Sequence, residues 1–521
     1  MTPPTYQLWV GGKYIDGSGE RIAVENPATG EMIAECHTAS DVDVDNAVIT
    51  AHSTFKSGVW SRCSRHERAD VLERAADCLT QEMQSLISLE VAQTGRAVRE
   101  MQAQVPSLVR WFKYYAAVLR TEERPVLPTS GKLHNWVERV ALGVVVQITP
   151  FNHPLLIAVK KLAPALAAGN SVIVKPSELT PLTTVLLGPI LQRAGLPNGV
   201  FNVVPGLGAT TGKRLVGSPL VRKVDVTGGT AAGRAIGSIV GGNLARYTAE
   251  LGGKAPVIVF EQANLDAAVN GIAFGAFVAS GQTCVAATRI IVQKSIIGPL
   301  VDKLRCKAQS ITDRMGSPSN PSSTMGPLVS AKQLAHVERL VDQAKASLHS
   351  TTVCGGQRLS GTSALDGYDF TRGYYYPATI LASAGTQGEN TILRTDIWKE
   401  EAFGPVVVVA GFDTEQEAIE LANDSQFGLG AAIWTTDLSQ AHRVSKAVES
   451  GIVWVNTHHR NDPSSPWGSA TSASGVGSEN GVEAYHAYTT TKSTIINYAS
   501  AEEAISTEDW FRQGSGQVRY G

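Results

Sequence analysis

Apolar positions recur every three to four residues over much of the first quarter of the chain. From Ser40, whose hydroxyl suits a helix N-cap, to about Leu119 this spacing predicts helices, which Gly95 and Pro106 divide into separate segments. Before Ser40, residues 7–36 alternate apolar and polar side chains between glycine turns, which predicts short antiparallel strands. The helices suit either a stand-alone bundle or a layer over one face of a sheet. The pattern that follows favours the layer.

The middle of the chain alternates short β-branched runs with helical segments. The predicted strands are 143–148, 171–174, 200–204 and 221–226, and the predicted helices are 154–168, 183–194 and one from Ala231. This alternation predicts a parallel sheet with right-handed crossovers, whose ligands bind at the carboxyl ends of the strands. A second pattern of this kind runs from 256 to 454, with strands at 257–260, 289–292, 406–410 and 431–434. The predicted fold class is α/β.

Two further segments alternate like strands but lie outside these patterns. Residues 122–142 predict an exposed hairpin, and residues 490–497 predict a late strand. A hairpin without a sheet of its own is only marginally stable, so we expect it to pair with another subunit. The late strand is a second candidate partner for it.

Composition narrows the class of protein. A chain of 521 residues, with 43% hydrophobic and 18% charged residues, predicts two or three globular domains. The net charge of -2 with interspersed signs predicts neither a nucleic-acid partner nor a membrane surface. We see no secretory signal, and no apolar run approaches the ~18 residues that cross a bilayer. Six widely spaced cysteines without a CxxC pair predict reduced thiols, a cytoplasmic location and no metal site.

Two short stretches carry residues suited to acyl chemistry. Glu250 is followed by a leucine and two glycines, and Cys284 ends the small-residue stretch 281–284. A thiolate is the strongest common protein nucleophile, and a nearby carboxylate can activate water. A cysteine in an apolar neighbourhood is more often an inert small hydrophobe, and Glu250 can equally be a solvated turn carboxylate.

A glycine turn follows the predicted strand 221–226. The chain reads T-G-G-T at 227–230, with Gly233 one helical turn later. This arrangement suits a pyrophosphate resting on backbone N–H groups at the positive end of a helix. Plain tight turns have the same composition, and the spacing is not the usual G-x-G-x-x-G fingerprint. Residues 206–213 only superficially suggest a phosphate loop, because Arg214 stands where the magnesium-binding hydroxyl belongs.

Six motifs occur in order along the chain. They are P-F-N-H-P at 150–154, K-P-S-E at 175–178, T-G-G-T at 227–230, E-L-G-G-K at 250–254, G-Q-T-C at 281–284 and E-A-F-G-P at 401–405. Together they resemble the NAD(P)-dependent aldehyde dehydrogenase superfamily, over about residues 7–498. The resemblance implies a Rossmann-type cofactor domain at 1–121 and 143–252, an α/β catalytic domain at 253–470, a small β oligomerisation arm at 122–142 and 485–498, and a C-terminal tail at 499–521.

The resemblance implies catalytic roles for three residues. Cys284 attacks the aldehyde carbon, the Asn152 amide and the Cys284 backbone N–H hold the oxyanion, and Glu250 activates the water that releases the acid. Such preorganised donors contribute about 3 kcal/mol each. Asn152 can otherwise be a turn-former before Pro154, and only its position after the first strand of the parallel run favours catalysis.

The implied cofactor is NAD. The residues implied to bind it are Ile148, Thr149, Phe151, Lys175, Ser177, Glu178, Gly208, Gly229, Thr230, Gly233, Leu251, Gly252, Glu401 and Phe403. Glu178 favours NAD over NADP, because a carboxylate accepts hydrogen bonds from both ribose hydroxyls and repels a 2'-phosphate. Lys175 can instead be a surface charge, yet it ends a predicted strand where a ligand would lie.

Residues 455–461 lie where the family has its substrate-entrance loop. His153 and His459 predict a polar entrance, and hence a polar or aromatic aldehyde as the small-molecule partner, although either histidine can be a plain surface residue. Trp467 resembles the aromatic wall of aminoaldehyde and betaine-aldehyde enzymes, but the loop offers no evident acidic partner for a cation. From 468 to 478 the chain departs from the family pattern: it is one residue longer and lacks two basic residues.

Two other functions compete with aldehyde oxidation. A CoA-acylating dehydrogenase of the same fold lacks the water-activating carboxylate, so Glu250 argues against it. A catalytically silent scaffold has no need of Cys284, Asn152 or Glu401. The arm predicts a homodimer or a homotetramer of two dimers.

Overall fold

The fold is described from a computed structural model, which covers residues 3–384, 389–511 and 513–514. In that part of the chain the strands are β1 (Thr5–Tyr6), β2 (Leu8–Val10), β3 (Lys13–Ile15), β4 (Ile22–Asn26), β5 (Glu31–Cys36), β6 (Val126–Leu127), β7 (Leu133–Ala141), β8 (Val144–Ile148), β9 (Ser171–Lys175), β10 (Phe201–Val203), β11 (Val221–Thr227), β12 (Arg246–Glu250), β13 (Ala255–Val259), β14 (Ala287–Gln293), β15 (Ser350–Cys354), β16 (Thr379–Ser383), β17 (Val406–Phe412), β18 (Gly430–Trp434), β19 (Ile452–Val455), β20 (Trp467–Gly468), β21 (Gly475–Val476), β22 (Ser478–Glu479) and β23 (Thr489–Asn497).

The α-helices of the same part are α1 (Asp41–Ser57), α2 (Arg65–Gln81), α3 (Met83–Thr94), α4 (Val98–Ser107), α5 (Val109–Thr121), α6 (Pro154–Ala167), α7 (Leu182–Arg193), α8 (Lys213–Gly217), α9 (Thr230–Gly242), α10 (Leu265–Phe277), α11 (Ile297–Thr312), α12 (Ala331–Ala346), α13 (Asp396–Lys399), α14 (Glu415–Asn423), α15 (Leu438–Ala447), α16 (Gly481–Ala487) and α17 (Ala501–Glu508). The predicted strands and helices of both α/β patterns are present, with small differences at their ends. The α/β fold class is therefore confirmed.

The first large sheet has eight strands in the order β21-β12-β11-β8-β9-β10-β2-β3. The five strands from β12 to β10 run parallel, and β21, β2 and β3 extend the two edges antiparallel. Because parallel strands end at one edge, Ile148, Lys175, Thr227 and Glu250 lie near each other at the carboxyl edge of this sheet.

The early helices do not all cover one face of this sheet, contrary to the sequence prediction. Helices α2 to α5 pack with α6 and α7 on one face, whereas α1 packs with α8 and α9 on the other. Ser40 caps α1 as expected, and Gly58 ends it in a left-handed conformation. Helical periodicity shows which side of a helix is apolar but not which sheet face it meets, so the pattern could not reveal this crossing.

The second large sheet has seven strands in the order β15-β16-β17-β14-β13-β18-β19. It is parallel except at β15, which pairs antiparallel with β16. Helices α10 and α11 pack on one face, and α12, α14 and α15 pack on the other. The chain passes directly from the first sheet to the second through the four residues between Glu250 and Ala255.

The hairpin at 122–142 and the late strand pair with each other inside one chain. Strand β23 pairs antiparallel with β7 over its whole length, and β6 completes a three-stranded sheet. The expectation that the hairpin pairs with a strand of another subunit is therefore wrong for β7, whose partner β23 belongs to the same chain. The sheet exposes apolar side chains, which are Val126, Leu127, Ile495 and Ile496.

The C-terminal segment contains a helix that its polar composition did not predict. Helix α17 begins after Ser500, whose side chain and backbone form a capping box with Glu503. Glu503 also accepts a hydrogen bond from Lys132 of the arm at 2.7 Å. Residue 512 and residues 515–521 of the predicted tail lie outside the described part. Among the described residues, no helix is both long and apolar enough for a bilayer crossing.

Candidate active site

Three of the motif turns meet where the two large sheets join. The backbone N–H of Gly253 donates to the Glu401 carboxylate at 3.0 Å. A Cβ at Gly253 would lie 2.2 Å from the carbonyl oxygen of Cys284, and one at Gly252 would lie 2.3 Å from the Glu401 carboxylate. The glycines after Glu250 are therefore needed for close approach, which positions the carboxylate motif against the thiol motif.

The turn before Cys284 is held in an unusual backbone conformation. Ala279, Ser280 and Gly281 have φ of 54°, 55° and 70° in succession. Left-handed conformations at non-glycine residues cost energy and persist only where contacts enforce them. The Ser280 hydroxyl donates to the Gly326 carbonyl at 2.8 Å, and the Ala279 N–H donates to Glu100 at 3.2 Å. These contacts fix the backbone that presents the thiol.

Asn152 is buried, and its side chain reaches the same turn. Its Nδ2 donates to the carbonyl oxygen of Gln282 at 2.8 Å. An amide nitrogen carries two hydrogens, so one remains for a second acceptor. The alternative that Asn152 merely forms a turn before Pro154 does not explain this contact across 130 positions of the chain. Asn152 is suited to donate to an oxyanion formed at Cys284.

The Cys284 thiol lies in a poorly hydrated environment. Burial is the main cause that raises its pKa to about 12; the Lys160 ammonium opposes this shift, and the Glu401 and Glu250 carboxyl groups add to it. The thiol is therefore protonated at neutral pH in the free protein. Nucleophilic attack then requires loss of the proton as the carbon–sulfur bond forms.

Glu250 lies at the end of β12 and is 5% exposed. Burial and the neighbouring Glu479 carboxylate raise its pKa well above the usual value, while Lys161 and Lys160 oppose them. A carboxyl group with a raised pKa is a stronger base once it has lost its proton, which suits water activation. Because Glu250 is buried, the alternative interpretation that it is a solvated turn carboxylate is excluded.

A buried charge cluster lies beside Glu250. Glu479 pairs with Lys160 at 2.9 Å and with Lys161, and Lys161 also pairs with Asp225. Although burial raises the pKa of Glu479, the two ammonium groups bring it down to about 2. Glu479 is therefore ionised and keeps a negative charge close to Glu250.

The sequence interpretation missed this cluster. Lys160 and Lys161 interrupt an otherwise apolar segment of the sequence, and they lie on α6, whose residues are all buried. Two adjacent lysines within a helix that is otherwise apolar were the available signal. Buried charges need partners, and the partner Glu479 is more than 300 positions away in the chain.

The carboxyl edge of the first sheet offers groups that fit a dinucleotide. Ile148 and Lys175 are neighbours across β8 and β9. The Thr149 hydroxyl is buried without a hydrogen-bond partner among the described residues, which leaves it for a bound group. The buried Lys175 ammonium lies 3.5 Å from the Glu178 carboxylate, whose side chain is 42% exposed. This pair offers both a donor and an exposed acceptor to a sugar.

The glycine turn at 227–230 opens onto the N-terminus of α9. Gly229 caps this thirteen-residue helix without a side-chain hydrogen bond, and a Cβ there would meet open space. The first-turn N–H groups are therefore available to an anion. A Cβ at Gly233 would lie 2.5 Å from Leu251, so Gly233 allows the helix to pack closely on this residue. The Thr230 hydroxyl donates to the Ala473 carbonyl at 2.7 Å, a use that the sequence did not predict.

The other predicted cofactor residues are spread around the same region. The rings of Phe151 and Phe403 meet edge to face with centroids 5.6 Å apart. Burial raises the pKa of Glu401 to about 7, although the Gly253 N–H lowers it. Ser177 accepts a hydrogen bond from the backbone of its own turn, and Gly208 is exposed at the start of a π-helical segment, Gly208–Gly212.

The three residues predicted to bind substrate lie together. The His153 and His459 rings have centroids 6.4 Å apart, and the His459 and Trp467 rings 6.5 Å apart. The Lys160 ammonium lies 4.8 Å above the Trp467 ring. That face of the indole already has a cation, so it does not present a free aromatic wall to a cationic substrate.

The segment at 468–478 packs against the Glu250 turn. The Ser474 hydroxyl donates to the Gly252 carbonyl at 2.7 Å, and its own carbonyl accepts from the Leu251 N–H at 2.9 Å. Strand β21 pairs with the end of β12. Although the sequence of this segment differs from the family pattern, the segment still contacts the turn that carries Glu250 directly. No cluster of potential metal ligands occurs among the described residues.

Comparison with known proteins identifies the family of this chain. The profile of the aldehyde dehydrogenase family matches residues 14–494. The (Z)-2-((N-methylformamido)methylene)-5-hydroxybutyrolactone dehydrogenase of Acinetobacter baylyi is 35% identical over 492 residues, which are 94% of this chain and 96% of that protein. The chain belongs to the aldehyde dehydrogenase family and is an oxidoreductase. The recognition made from the six motifs is confirmed.

Solved structures share the whole fold. Betaine aldehyde dehydrogenase of Staphylococcus aureus, in complex with NAD+, is 32% identical with a TM-score of 0.89, and the match covers 94% of each chain. PnpE, from Pseudomonas sp. WBC-3 and in complex with nicotinamide adenine dinucleotide, is 36% identical with a TM-score of 0.89. That match covers 95% of this chain and 98% of PnpE.

Proposed function

We propose that this protein oxidises an aldehyde to a carboxylic acid with NAD. The observation that carries the proposal is the hydrogen bond from Asn152 to Gln282, which brings an amide donor to the turn of Cys284. The buried Glu250 completes the set, because its turn packs against the same thiol turn through Gly253. These contacts support the proposal that Cys284 is the nucleophile, Asn152 the oxyanion donor and Glu250 the base.

The reaction is an addition, an oxidation and a hydrolysis. The Cys284 sulfur bonds to the aldehyde carbon while the thiol passes its proton to water, and the Asn152 amide with the Cys284 N–H holds the resulting oxyanion. NAD, when bound, accepts the hydride from that carbon. Loss of the hydride leaves a thioester on Cys284. Glu250 then removes a proton from water, the water oxygen bonds to the acyl carbon, and the carbon–sulfur bond breaks to release acid and thiol.

The chain supplies several groups suited to hold NAD. The α9 N-terminus at Gly229 would receive the pyrophosphate, and Lys175 with Glu178 would bind the adenosine ribose. Glu401 would bind the second ribose beside Phe403. The family neighbours with NAD in their structures support this assignment. The exposed Glu178 carboxylate favours NAD over NADP, because it would repel a 2'-phosphate.

One set of assays tests the proposal against its rivals. The protein is mixed with NAD and a panel of aldehydes, with and without CoA, and both NADH and the acid or acyl-CoA product are measured. We expect NADH and free acid without CoA, and no NADH from Cys284→Ala. A requirement for CoA with an acyl-CoA product would favour the acylating enzyme. No NADH from any aldehyde would favour a silent scaffold.

The structure is also the basis for proposals about substrate and assembly. We propose a polar or aromatic aldehyde, since His153 and His459 line the entrance. The exposed apolar residues of the β6-β7-β23 sheet favour a homodimer or homotetramer, and a monomer at micromolar concentration would contradict it. The division into cofactor and catalytic domains joined near Glu250, and the cytoplasmic location, stay predictions.

A further inference from the structure

A large cavity leads from the surface to His153, the residue after Asn152. Its volume is about 770 Å³, and it runs between α4, the end of α10, α11 and the segment at 459–462. We call it the entrance cavity. Apart from His153 and His459, no residue that we assign to the reaction or to the cofactor lines it. The side chains that line the entrance cavity therefore indicate which groups the non-reacting part of the substrate carries.

The tautomer of His153 is fixed by its neighbours. Arg96 donates to Nδ1 of His153 at 2.7 Å, and Arg96 also donates to the Gln104 side-chain oxygen at 3.0 Å. That leaves the amide nitrogen of Gln104 to donate to the same Nδ1, at 3.0 Å. A guanidinium only donates, so Nδ1 is an acceptor and the proton of a neutral imidazole is on Nε2.

The proton on Nε2 has no acceptor in the part of the chain that the structure describes. Nε2 of His153 is buried without a hydrogen-bond partner among the described residues, and the side chain lines the entrance cavity. The residue is 5% exposed. Burial and the Arg96 guanidinium hold the pKa of His153 well below its usual value, so the ring stays neutral. A buried donor without an acceptor is costly unless a bound molecule supplies one.

The walls of the entrance cavity are strongly basic. They contain six basic side chains, which are Arg96, Arg99, Arg110, Lys307, Arg314 and Arg460. The acidic side chains of the wall are Glu100 and Asp462, and they pair with Arg96 and Arg110. Four basic groups are thus left without an ion pair in the wall. A cavity of one charge sign concentrates ligands of the opposite sign and speeds their association.

The deep end of the site also disfavours a cation. The Lys160 ammonium stands above the Trp467 ring at 4.8 Å and lowers the attraction of that ring for another cation. Cationic aldehydes would meet positive charge at the mouth and again at this wall. An anionic aldehyde meets a net positive charge on the wall of the entrance cavity.

We propose that the substrate is an aldehyde that also carries a carboxylate, which the basic wall attracts and the Nε2–H of His153 binds. This inference rests on the proposed oxidation of aldehydes and names their class. Arg96 is a positioning residue in this arrangement, because its guanidinium donates to the imidazole and is paired with Glu100.

Matched pairs of substrates test the proposal. Para-formylbenzoate and its methyl ester differ in charge but keep the same reactive group, as do glutaric semialdehyde and its methyl ester. Because hydrogen bonds to charged groups contribute about 1.5 to 3 kcal/mol, we expect kcat/KM for each acid to exceed that of its ester by about tenfold or more. Equal values for acid and ester, or faster oxidation of the esters, would overturn the proposal.

Variants separate the two parts of the arrangement. His153→Phe removes the donor and should reduce the acid-to-ester ratio mainly through KM, whereas His153→Gln keeps an N–H and should retain part of it. Arg96→Lys keeps the charge but loses the two-pronged guanidinium that orients the ring, and should lower the acid-to-ester ratio of kcat/KM toward that of His153→Phe. An unchanged ratio in His153→Phe would contradict the assigned donor.

The basic wall has its own test. Arg99→Glu combined with Lys307→Glu should lower kcat/KM for the acids and leave the esters unaffected, and Lys446→Glu on α15 is the matched control outside the cavity. Added salt should slow the acids more than the esters, because the Debye length falls from about 30 Å at 0.01 M to about 8 Å at 0.15 M. An acid rate insensitive to both the charge reversal and salt would overturn the steering role.

Failure of this inference can be told apart from failure of the proposed function. If neutral aldehydes are oxidised and acids are not preferred, the proposed aldehyde oxidation is supported and the proposed carboxylate-bearing substrate is rejected. Preference for glyceraldehyde phosphate over the carboxylates also rejects it. If no aldehyde yields NADH, a binding measurement tests the carboxylate proposal by itself. In calorimetry with NAD present, the Cys284→Ala variant should bind terephthalate more tightly than dimethyl terephthalate. Equal binding would overturn the proposal.

Discussion

The side-chain amide of Asn152 donates a hydrogen bond to the carbonyl oxygen of Gln282, 2.8 Å away and two positions before Cys284. This contact joins the turn after β8 to the turn that presents the thiol. One hydrogen of the amide holds the two turns together, and the other is left for an oxygen of the substrate. Asn152 therefore holds the two turns together, and we propose that it also donates to the oxyanion.

Replacing Asn152 with alanine should lower kcat strongly. Loss of one preorganised oxyanion donor typically costs about 100-fold to 1,000-fold in kcat. NAD binding, measured by fluorescence, should change little, because no cofactor contact is assigned to this side chain. A kcat close to that of the parent protein would contradict the assigned role.

Replacing Cys284 with serine should abolish NADH formation, because a hydroxyl is a much weaker nucleophile than a thiol. Cys306→Ser is the matched control, since Cys306 is exposed on α11 and does not line the entrance cavity. It should retain full activity. Trapping of the acyl group on the parent protein, but not on Cys284→Ser, can be measured by mass spectrometry. Loss of activity in the control alone would point to another thiol.

The release of acid should depend on pH through Glu250. The group acts as a base only when ionised, so hydrolysis is present above its raised pKa and is lost as pH falls through it. Glu479→Gln removes a negative neighbour that helps to raise this pKa. The acidic limb of the hydrolysis rate should therefore move to lower pH in this variant.

The measurement is the rate of acid release after acylation, taken across pH in both proteins. Glu479→Gln also leaves the Lys160 and Lys161 ammonium groups without their shared partner, which should lower thermal stability. A limb that stays in place, or moves to higher pH, would show that Glu479 does not act on the base.

Gly253→Ala should disrupt the site. Its Cβ would lie 2.2 Å from the Cys284 carbonyl oxygen, so the thiol turn has to shift. We expect destabilisation of about 1 to 3 kcal/mol and a large loss of activity. Gly298→Ala is the control, because a Cβ there meets nothing within 4 Å on α11. It should be neutral or slightly stabilising in thermal unfolding. Normal activity in Gly253→Ala would contradict the close approach.

Glu178→Ser should increase the use of NADP relative to NAD. The exposed carboxylate that would repel a 2'-phosphate is removed, and the Lys175 ammonium 3.5 Å away is left to attract it. The measurement is the ratio of kcat/KM for the two cofactors with one aldehyde. Thr414→Ser, a helix cap at the start of α14, is a mild control that should keep the parent ratio. A ratio that does not change in Glu178→Ser would show that other groups choose the cofactor.

Much of the fold was predictable because local periodicity reflects local structure. The strands from β8 to β11 and the helices between them follow from β-branched runs and helical spacing. β12, which carries Glu250, was not predicted, because its start at Arg246 and Tyr247 is polar and partly exposed. The helix α17 was missed because its polar residues form no buried face.

The sequence by itself determined the identity of the candidate nucleophile, base and oxyanion donor, because the motifs around Cys284, Glu250 and Asn152 are contiguous in the chain. Only the tertiary structure decided how these groups are tuned. The pairing of Lys160 and Lys161 with Glu479, and the tautomer of His153 that Arg96 imposes, are contacts between residues far apart in the chain. Charge and hydrogen-bond energies depend on distance and burial, and a linear sequence records neither.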